Sequence, residues 1–253
     1  MIRVVYQHNM EVEMEILLDE GYQFGLGAFE TIAVEENCPV FLEWHLERLR
    51  EAIDFFGFSW KITEEEVWQQ LRREPIVHGA LKVIVSNRNV VFLTRENHYT
   101  QEQYQRGFRM EFSPVRRNET SPLVYYKTMN YGDCILEKRR AGTLGLDELI
   151  FLNMRGEISE GTTTNIFFGK NGKLYTPRKE CGLLPGVMRR YVMSEMETEE
   201  TVMIPEQLQK FDECFVTNSL VGIMPAASLA GYTFEKRETA DWLRKKYLSQ
   251  IVH

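Results

Sequence analysis

Lys127 stands in SPLVYYKTMNYGD, residues 121–133, among aromatic and apolar neighbours. Val124, Tyr125 and Tyr126 read as a strand, and the stretch after Asn130 reads as a helix. A lysine is ordinarily placed with its stem buried and its ammonium in water, so the rest of the chain decides whether this one does more. Four other places carry groups suited to an anion or a ring cation. LLPGVMRR puts Gly186 just before a helix, where the backbone N–H groups of Val187 and Met188 face outward and the helix dipole favours negative charge. FVTNSL offers the Thr217 and Ser219 hydroxyls and the turn amides around Asn218 at a strand exit; a plain turn is the alternative. Arg48 lies about 120° around its helix from a leucine stripe, at 100° per residue. It is either a solvated arginine or a cation aimed at a ligand. Glu160 in ISEGTTTN follows a strand and precedes Gly161 and three hydroxyl residues. A carboxylate there is either a solvated loop group or the partner of a ring-nitrogen cation.

Other chemistries lose their usual support. GLGAFE, residues 25–30, fails as a dinucleotide loop, because Glu30 stands at the third glycine position and a hairpin follows. There is no GxxxxGK[ST], HExxH or GxSxG run. Five histidines are spread too widely to suggest a metal site. The four cysteines, Cys38, Cys134, Cys181 and Cys214, form no CxxC pair, which fits a reduced cytoplasmic protein. A net charge of −7 argues against general binding to nucleic acid or an anionic membrane. No apolar run approaches the roughly 18 residues of a membrane span, and MIRVVYQHNMEVEME lacks the apolar stretch of a signal peptide.

The elements that must position these groups follow from periodicity. AFETIAVEENCPVFL, residues 28–42, reads as a hairpin. Leu42, Leu46, Leu49, Ile53 and Phe56 form one helical stripe, ended by Gly57. Thr63 and Glu66 make a capping box for a short helix. LKVIVS and VVFLTR flank a second turn, and FRMEFSP is another strand. SPVRRNETSP, residues 113–122, is polar with proline near both ends and reads as a link between domains. That divides the chain into a smaller α+β domain, residues 1–116, and a larger one, 117–253, carrying Lys127. The second half continues with helix DCILEKRRAG, strands ELIFLN and EISEGTTTNIFFG, an Asn171-Gly172 hairpin turn and strand KLYTP. Helix VMRRYVMSEM, strand ECFVTNS and an amphipathic C-terminal helix complete it. Strands mixed with helices without strict alternation point to an α+β fold.

Taken in order, FGLGAFETI, HLERL, RRNETSPLVYYKTMNY, DELIFLNMRGEISEGTTTNIF, LYTP, GLLPGVMRR and FVTNSLVGIMP resemble the fold type IV pyridoxal-phosphate enzymes. That group holds branched-chain and D-amino-acid aminotransferases and the aminodeoxychorismate lyases, and the last three segments with YKTMNY lean toward the lyases. The resemblance implies a two-domain α+β architecture with pyridoxal 5′-phosphate at the domain junction. It implies that Lys127 bonds the cofactor covalently. Partial desolvation among Val124, Tyr125 and Tyr126 lowers an amine's pKa and leaves it nucleophilic. It implies that Glu160 pairs with the pyridine nitrogen and keeps it protonated. Arg48 corresponds to the arginine on the cofactor phosphate, with Val187, Met188, Asn218 and Ser219 as further phosphate donors.

For the lyase branch the implied reaction converts 4-amino-4-deoxychorismate to 4-aminobenzoate and pyruvate, in folate biosynthesis, by a cytoplasmic homodimer. An aminotransferase on the same scaffold is the first alternative, and a cofactor-free protein binding a small anion the second. Two positions depart from the pattern. Ala33 follows FETI where many relatives carry arginine, so any substrate carboxylate held by that arginine needs another group here. Met188 stands where several aminotransferases place threonine, which removes a hydroxyl but keeps the amide. His45 is expected to pack and hydrogen-bond rather than catalyse. Tyr131 either contacts the cofactor or packs.

Overall fold

The computed structural model describes residues 16–251; the N-terminal stretch read above for a leader lies outside the described residues. Internal contacts divide the chain into two units. The first takes the chain up to His98 together with Tyr126–Asn130, and the second takes Tyr99–Tyr125 and Tyr131–Ile251.

In the first unit, α1 (Glu20–Phe24) is capped by Asp19, whose carboxylate accepts from the Gly21 and Tyr22 amides. The expected hairpin forms as β1 (Gly27–Glu35) and β2 (Cys38–Pro39). Helix α2 (Leu42–Phe56) ends on Gly57 in the left-handed region, φ 69°, as the stripe predicts. Helix α3 (Glu64–Arg73) begins with the Thr63–Glu66 capping box. Strands β3 (His78–Ser86) and β4 (Val90–Glu96) complete an antiparallel sheet in the order β2-β1-β3-β4. One face of that sheet, through Ala28, Ile32, Val34, Leu81, Val83 and Val85, packs on Leu46, Leu49 and Ile53 of α2. Burial of each large aliphatic side chain there contributes about 1.5–3 kcal/mol.

In the second unit, α4 (Gln101–Arg106), β5 (Phe108–Arg117) and α5 (Gly132–Thr143) lead into β6 (Glu148–Asn153), β7 (Ile158–Gly161), β8 (Asn165–Lys170) and β9 (Lys173–Pro177). Then come α6 (Val187–Glu195), β10 (Thr198–Thr201), β11 (Glu213–Asn218), β12 (Gly222–Leu229), β13 (Tyr232–Thr233) and α7 (Glu238–Ile251). The strands make one mixed sheet in the order β10-β9-β8-β11-β12-β5-β6-β7, with β13 beside β12. Its core is rich in aromatic residues, with Phe167 stacked on Phe215. Helices and a mixed sheet without strict alternation make the chain an α+β protein.

Four local expectations change. Residues 113–117, read as linker, are the second half of β5, where Arg116 and Arg117 pair with Leu152 and Asn153 of β6. The pairing there supplies what alternation in the sequence does not show. Val124–Tyr126, read as strand, instead lie in and just after a 3₁₀ turn, Pro122–Tyr125. Pro122 has no N–H for a ladder, and the Tyr125 hydroxyl donates back to the Glu119 carbonyl at 2.6 Å. The contact division falls after His98, so the boundary read at residue 116 lies inside β5. Lys127, read with the larger domain, belongs to the first unit, because its neighbours bond to β1: Phe29 N donates to Lys127 O at 2.9 Å and Met129 N to Gly27 O at 2.8 Å.

Candidate functional site

In the first unit the Tyr126–Asn130 segment lies along the start of β1, with a bridge between Ala28 and Thr128. The glycines of GLGAF make this approach possible. A β-carbon on Gly27 would stand 2.4 Å from Met129 Sδ and 2.7 Å from Val85 O, and Gly25 turns out of α1 at φ 71°. The Asn130 amide donates to the Gly25 carbonyl at 2.8 Å. The segment is thereby fixed, and Lys127 Nζ stands 4.5 Å from the centre of the Phe29 ring. That is cation–π range for the ammonium and apolar contact for the neutral amine. Lys127 is partly buried.

Arg48 is not a solvated helix residue. Its Nε and one terminal nitrogen donate to the two oxygens of Glu30, at 2.7 and 2.8 Å. Glu30 lies on the core side of β1, fully buried, and His45 Nδ1 is 2.7 Å from the same carboxylate. Burial alone would push the Glu30 carboxyl up, but Arg48 and His45 outweigh it and hold the group well below the usual carboxylate range. Burial also pushes the His45 imidazole down, against the pull of Glu30. A neutral His45 must then donate from Nδ1, since a carboxylate only accepts. Glu30 is the group missed in the sequence, where it counted only against a dinucleotide loop. A signal was present: Ala28, Glu30, Ile32 and Val34 alternate on one strand face, and an acid in such a row needs a cation.

In the second unit Glu160 is a buried strand residue of β7, not a solvated loop carboxylate. Arg117 of β5 donates to its Oε1, and Leu184 N donates to its Oε2 at 3.0 Å. Burial opposes the Arg117 charge, yet Glu160 raises that pKa further above its ordinary value. Glu160 is therefore oriented on both oxygens. The loop after it is organised by a second carboxylate. Glu148, fully buried on β6, accepts from the amides of Leu149 and Thr162 at 3.0 and 3.2 Å. It also accepts from the hydroxyls of Thr162, Thr163 and Thr164. Lys138 Nζ lies 3.5 Å away.

This loop gathers the other predicted residues of the second unit. Asn165 donates to the Leu184 carbonyl at 2.8 Å, ahead of α6. Asn218 donates to the Thr163 carbonyl at 3.1 Å and accepts from the Leu220 and Val221 amides, both at 2.8 Å. The Asn218 side chain thus shapes the turn that carries Ser219. Tyr131, whose phenol burial pushes up, donates to the Thr162 carbonyl at 3.1 Å. Val187 and Met188 open α6 behind Gly186, which brings no side chain to cap the helix. A β-carbon on Gly186 would stand 2.1 Å from Asn165 Oδ1.

The donor set fits a phosphorylated aromatic cation. Uncapped amides at 187 and 188 suit a phosphate, and a carboxylate fixed from behind suits a ring N–H⁺. Thr217 Oγ1, buried at the exit of β11, has no hydrogen-bond partner among the described residues. Lys127 and Arg48, the other residues expected at the cofactor, belong to the first unit. No helix of the described residues is long and apolar enough to cross a membrane.

The chain belongs to the amino-transferase class IV family, whose sequence profile matches residues 27–229. It is 26% identical to the aminodeoxychorismate lyase of Bacillus subtilis, over 93% of this chain and 90% of that protein. A solved Legionella pneumophila structure, provisionally assigned as a 4-amino-4-deoxychorismate lyase, superposes with a TM-score of 0.84. It is 29% identical and covers 99% of both chains. The branched-chain amino acid aminotransferase of Thermobaculum terrenum, solved in its pyridoxal-phosphate form, shares the fold. Its TM-score is 0.77 and its identity 22%, over 94% of this chain and 90% of that one.

Proposed function

We propose that this protein is a pyridoxal 5′-phosphate-dependent lyase that converts 4-amino-4-deoxychorismate to 4-aminobenzoate and pyruvate. The likeness to the Legionella protein, end to end in both chains at 29% identity, is the observation that carries this reading, and the Bacillus subtilis relative points the same way.

When bound, the cofactor supplies an electron sink for the carbon that bears the substrate amine. Lys127 would hold the cofactor through Nζ, and its free amine would take the proton from that carbon. Loss of the neighbouring enolpyruvyl oxygen then leaves an aromatic ring, which drives the elimination. Pyruvate leaves after its enol gains a proton. Glu160, fixed by Arg117 and Leu184 N, holds the pyridine N–H⁺. Arg48, fixed by Glu30, and the amides of Val187, Met188 and Ser219 hold the phosphate. Asn218 shapes the turn beneath it. We place the enzyme in the cytoplasm as a homodimer supplying 4-aminobenzoate for folate synthesis. All four cysteines are free, as a reducing compartment favours.

Incubating the loaded protein with 4-amino-4-deoxychorismate tests the reaction. Stoichiometric 4-aminobenzoate and pyruvate are expected, without any keto acid co-substrate. No product there, with keto acid formed from leucine or D-alanine, would make it an aminotransferase of the same family. A protein that takes up no cofactor would instead be a simple anion binder.

A further inference from the structure

The 218–221 turn, proposed to hold the cofactor phosphate, is fastened at both ends. At its front, the Asn218 side chain donates to the Thr163 carbonyl and accepts from the Leu220 and Val221 amides. At its back, the Val221 carbonyl accepts from the Tyr104 hydroxyl at 2.8 Å. Both backbone groups of Val221 are therefore bonded to side chains. Gly222 follows at φ 61°, a conformation that glycine takes without strain. A β-carbon there would stand 3.0 Å from the ring of Tyr247 on α7.

Tyr104 sits on α4, a helix too short to be stable by itself. Its ends are set by the Thr100–Gln103 capping box and by Gly107 at φ 77°. Its place is set by the C-terminal helix. Arg237, just ahead of α7, donates to the carbonyls of Tyr104 and Gln105 at 2.7 and 2.8 Å. Asp241 aligns that guanidinium through two bonds, at 2.8 and 2.9 Å. The Arg244 guanidinium lies 3.8 Å from the centre of the Tyr104 ring, within cation–π range. The start of α7 is anchored in turn on β11, where the buried Glu213 accepts from the Ala240 amide at 2.7 Å. A closed circuit of contacts thus runs from β11 through α7 and α4 to the turn that leaves β11.

We propose that Tyr104 is a positioning residue for the cofactor phosphate. Its hydroxyl, held in place by α7, fixes the back of the 218–221 turn and so the placing of the Ser219 amide. The assignment rests on the reading of that turn as a phosphate donor. Donors fixed before the ligand arrives lose less freedom when it binds. The C-terminal helix therefore reaches the phosphate end of the site through one phenol, without contributing a group to the ring end.

The test loads the full-length chain, freed of cofactor, with pyridoxal 5′-phosphate or with pyridoxal, which lacks the phosphate, and follows the cofactor absorbance. Wild type is expected to prefer the phosphorylated form at least a hundredfold, as several charge-assisted contacts allow. Tyr104→Phe removes only the hydroxyl. It is expected to lower that preference about tenfold while its affinity for pyridoxal changes less than twofold. Arg237→Gln, which releases the α4 backbone and leaves the phenol, is the second variant and is expected to lower the preference at least threefold. Asn218→Ala is the reference, because it undoes the same turn from the front. Tyr104→Phe that loses stability in urea melts but keeps the full preference overturns the proposal, and so does equal loss of affinity for both forms. Loss of preference in Asn218→Ala alone would sink the role of Tyr104 and leave the turn on the phosphate. Full preference in all three variants, or none in wild type, would sink both. The titration needs no turnover. A wild type that forms no 4-aminobenzoate would therefore sink the lyase reading alone, and the cofactor preference would still decide on Tyr104.

Discussion

At the scale of single residues, the buried Glu30–His45–Arg48 group has the clearest physical consequence. Glu30 is ionised in a place where burial alone would neutralise it, so each partner compensates the others. Removing one member of such a group costs about 3–5 kcal/mol. Arg48→Met is expected to destabilise the protein by that amount in urea melts and to weaken cofactor binding. The pH dependence has one sign. Both Glu30 and His45 have folded pKa values below their unfolded ones, so their contribution is present at neutral pH and lost on acidification. The unfolded imidazole gains its proton near pH 6.5, while the folded one resists. Stability should therefore fall as the pH drops below about 6.5, with a limiting slope near 1.4 kcal/mol per pH unit for this one group. His45→Asn should flatten that part of the profile. An unchanged slope in the variant would place the proton uptake elsewhere.

At the scale of elements, Glu148 does for the 161–164 loop what Glu30 does for Arg48. Replacing it by alanine removes the carboxylate that accepts from the three threonine hydroxyls, while the Thr162 amide keeps its bond to the Leu149 carbonyl at 3.0 Å. Each buried unsatisfied group costs about 1–3 kcal/mol. Glu148→Ala is expected to speed amide exchange at Thr162–Asn165 and to weaken cofactor affinity at least tenfold. Exchange left unchanged there would show that the loop is held by other contacts. This loop also shows what the sequence could and could not reveal. Glu160 and the three threonines stood out by type, but the acid that binds them together lies in a strand whose residues are all buried. Nothing in the ELIFLN pattern says where a carboxylate there points.

Local chemistry was legible where it is self-contained. The Asn171-Gly172 turn takes φ 51° and 76°, as that pair predicts. The Thr63–Glu66 box and the Gly57 stop sit where their residues place them. Pairing between distant segments was not legible. β12 escaped notice because Pro225 interrupts it; the strand is tolerated beside a register shift in its pairing with β5. The second half of β5 looked like a linker because its two sides are not alternately apolar at 113–117.

At the scale of the whole molecule, both units are α+β and the family match spans elements of each. The order of motifs along the chain was readable from residue 24 onward. The membership of Lys127 was not, since five residues leave the second unit to join β1. A homodimer predicts a solution mass of twice 29.8 kDa by light scattering, and a mass of one chain would contradict it.

The claim on which the account rests is that Lys127, fixed against β1 with its amine over Phe29, is the group that bonds pyridoxal phosphate. Borohydride reduction of the loaded protein, followed by peptide mass spectrometry, reads this directly. The account predicts a cofactor-sized mass increase on the peptide containing Lys127, and none in Lys127→Ala. A label on another lysine, or no label on a protein that is yellow before reduction, would contradict it.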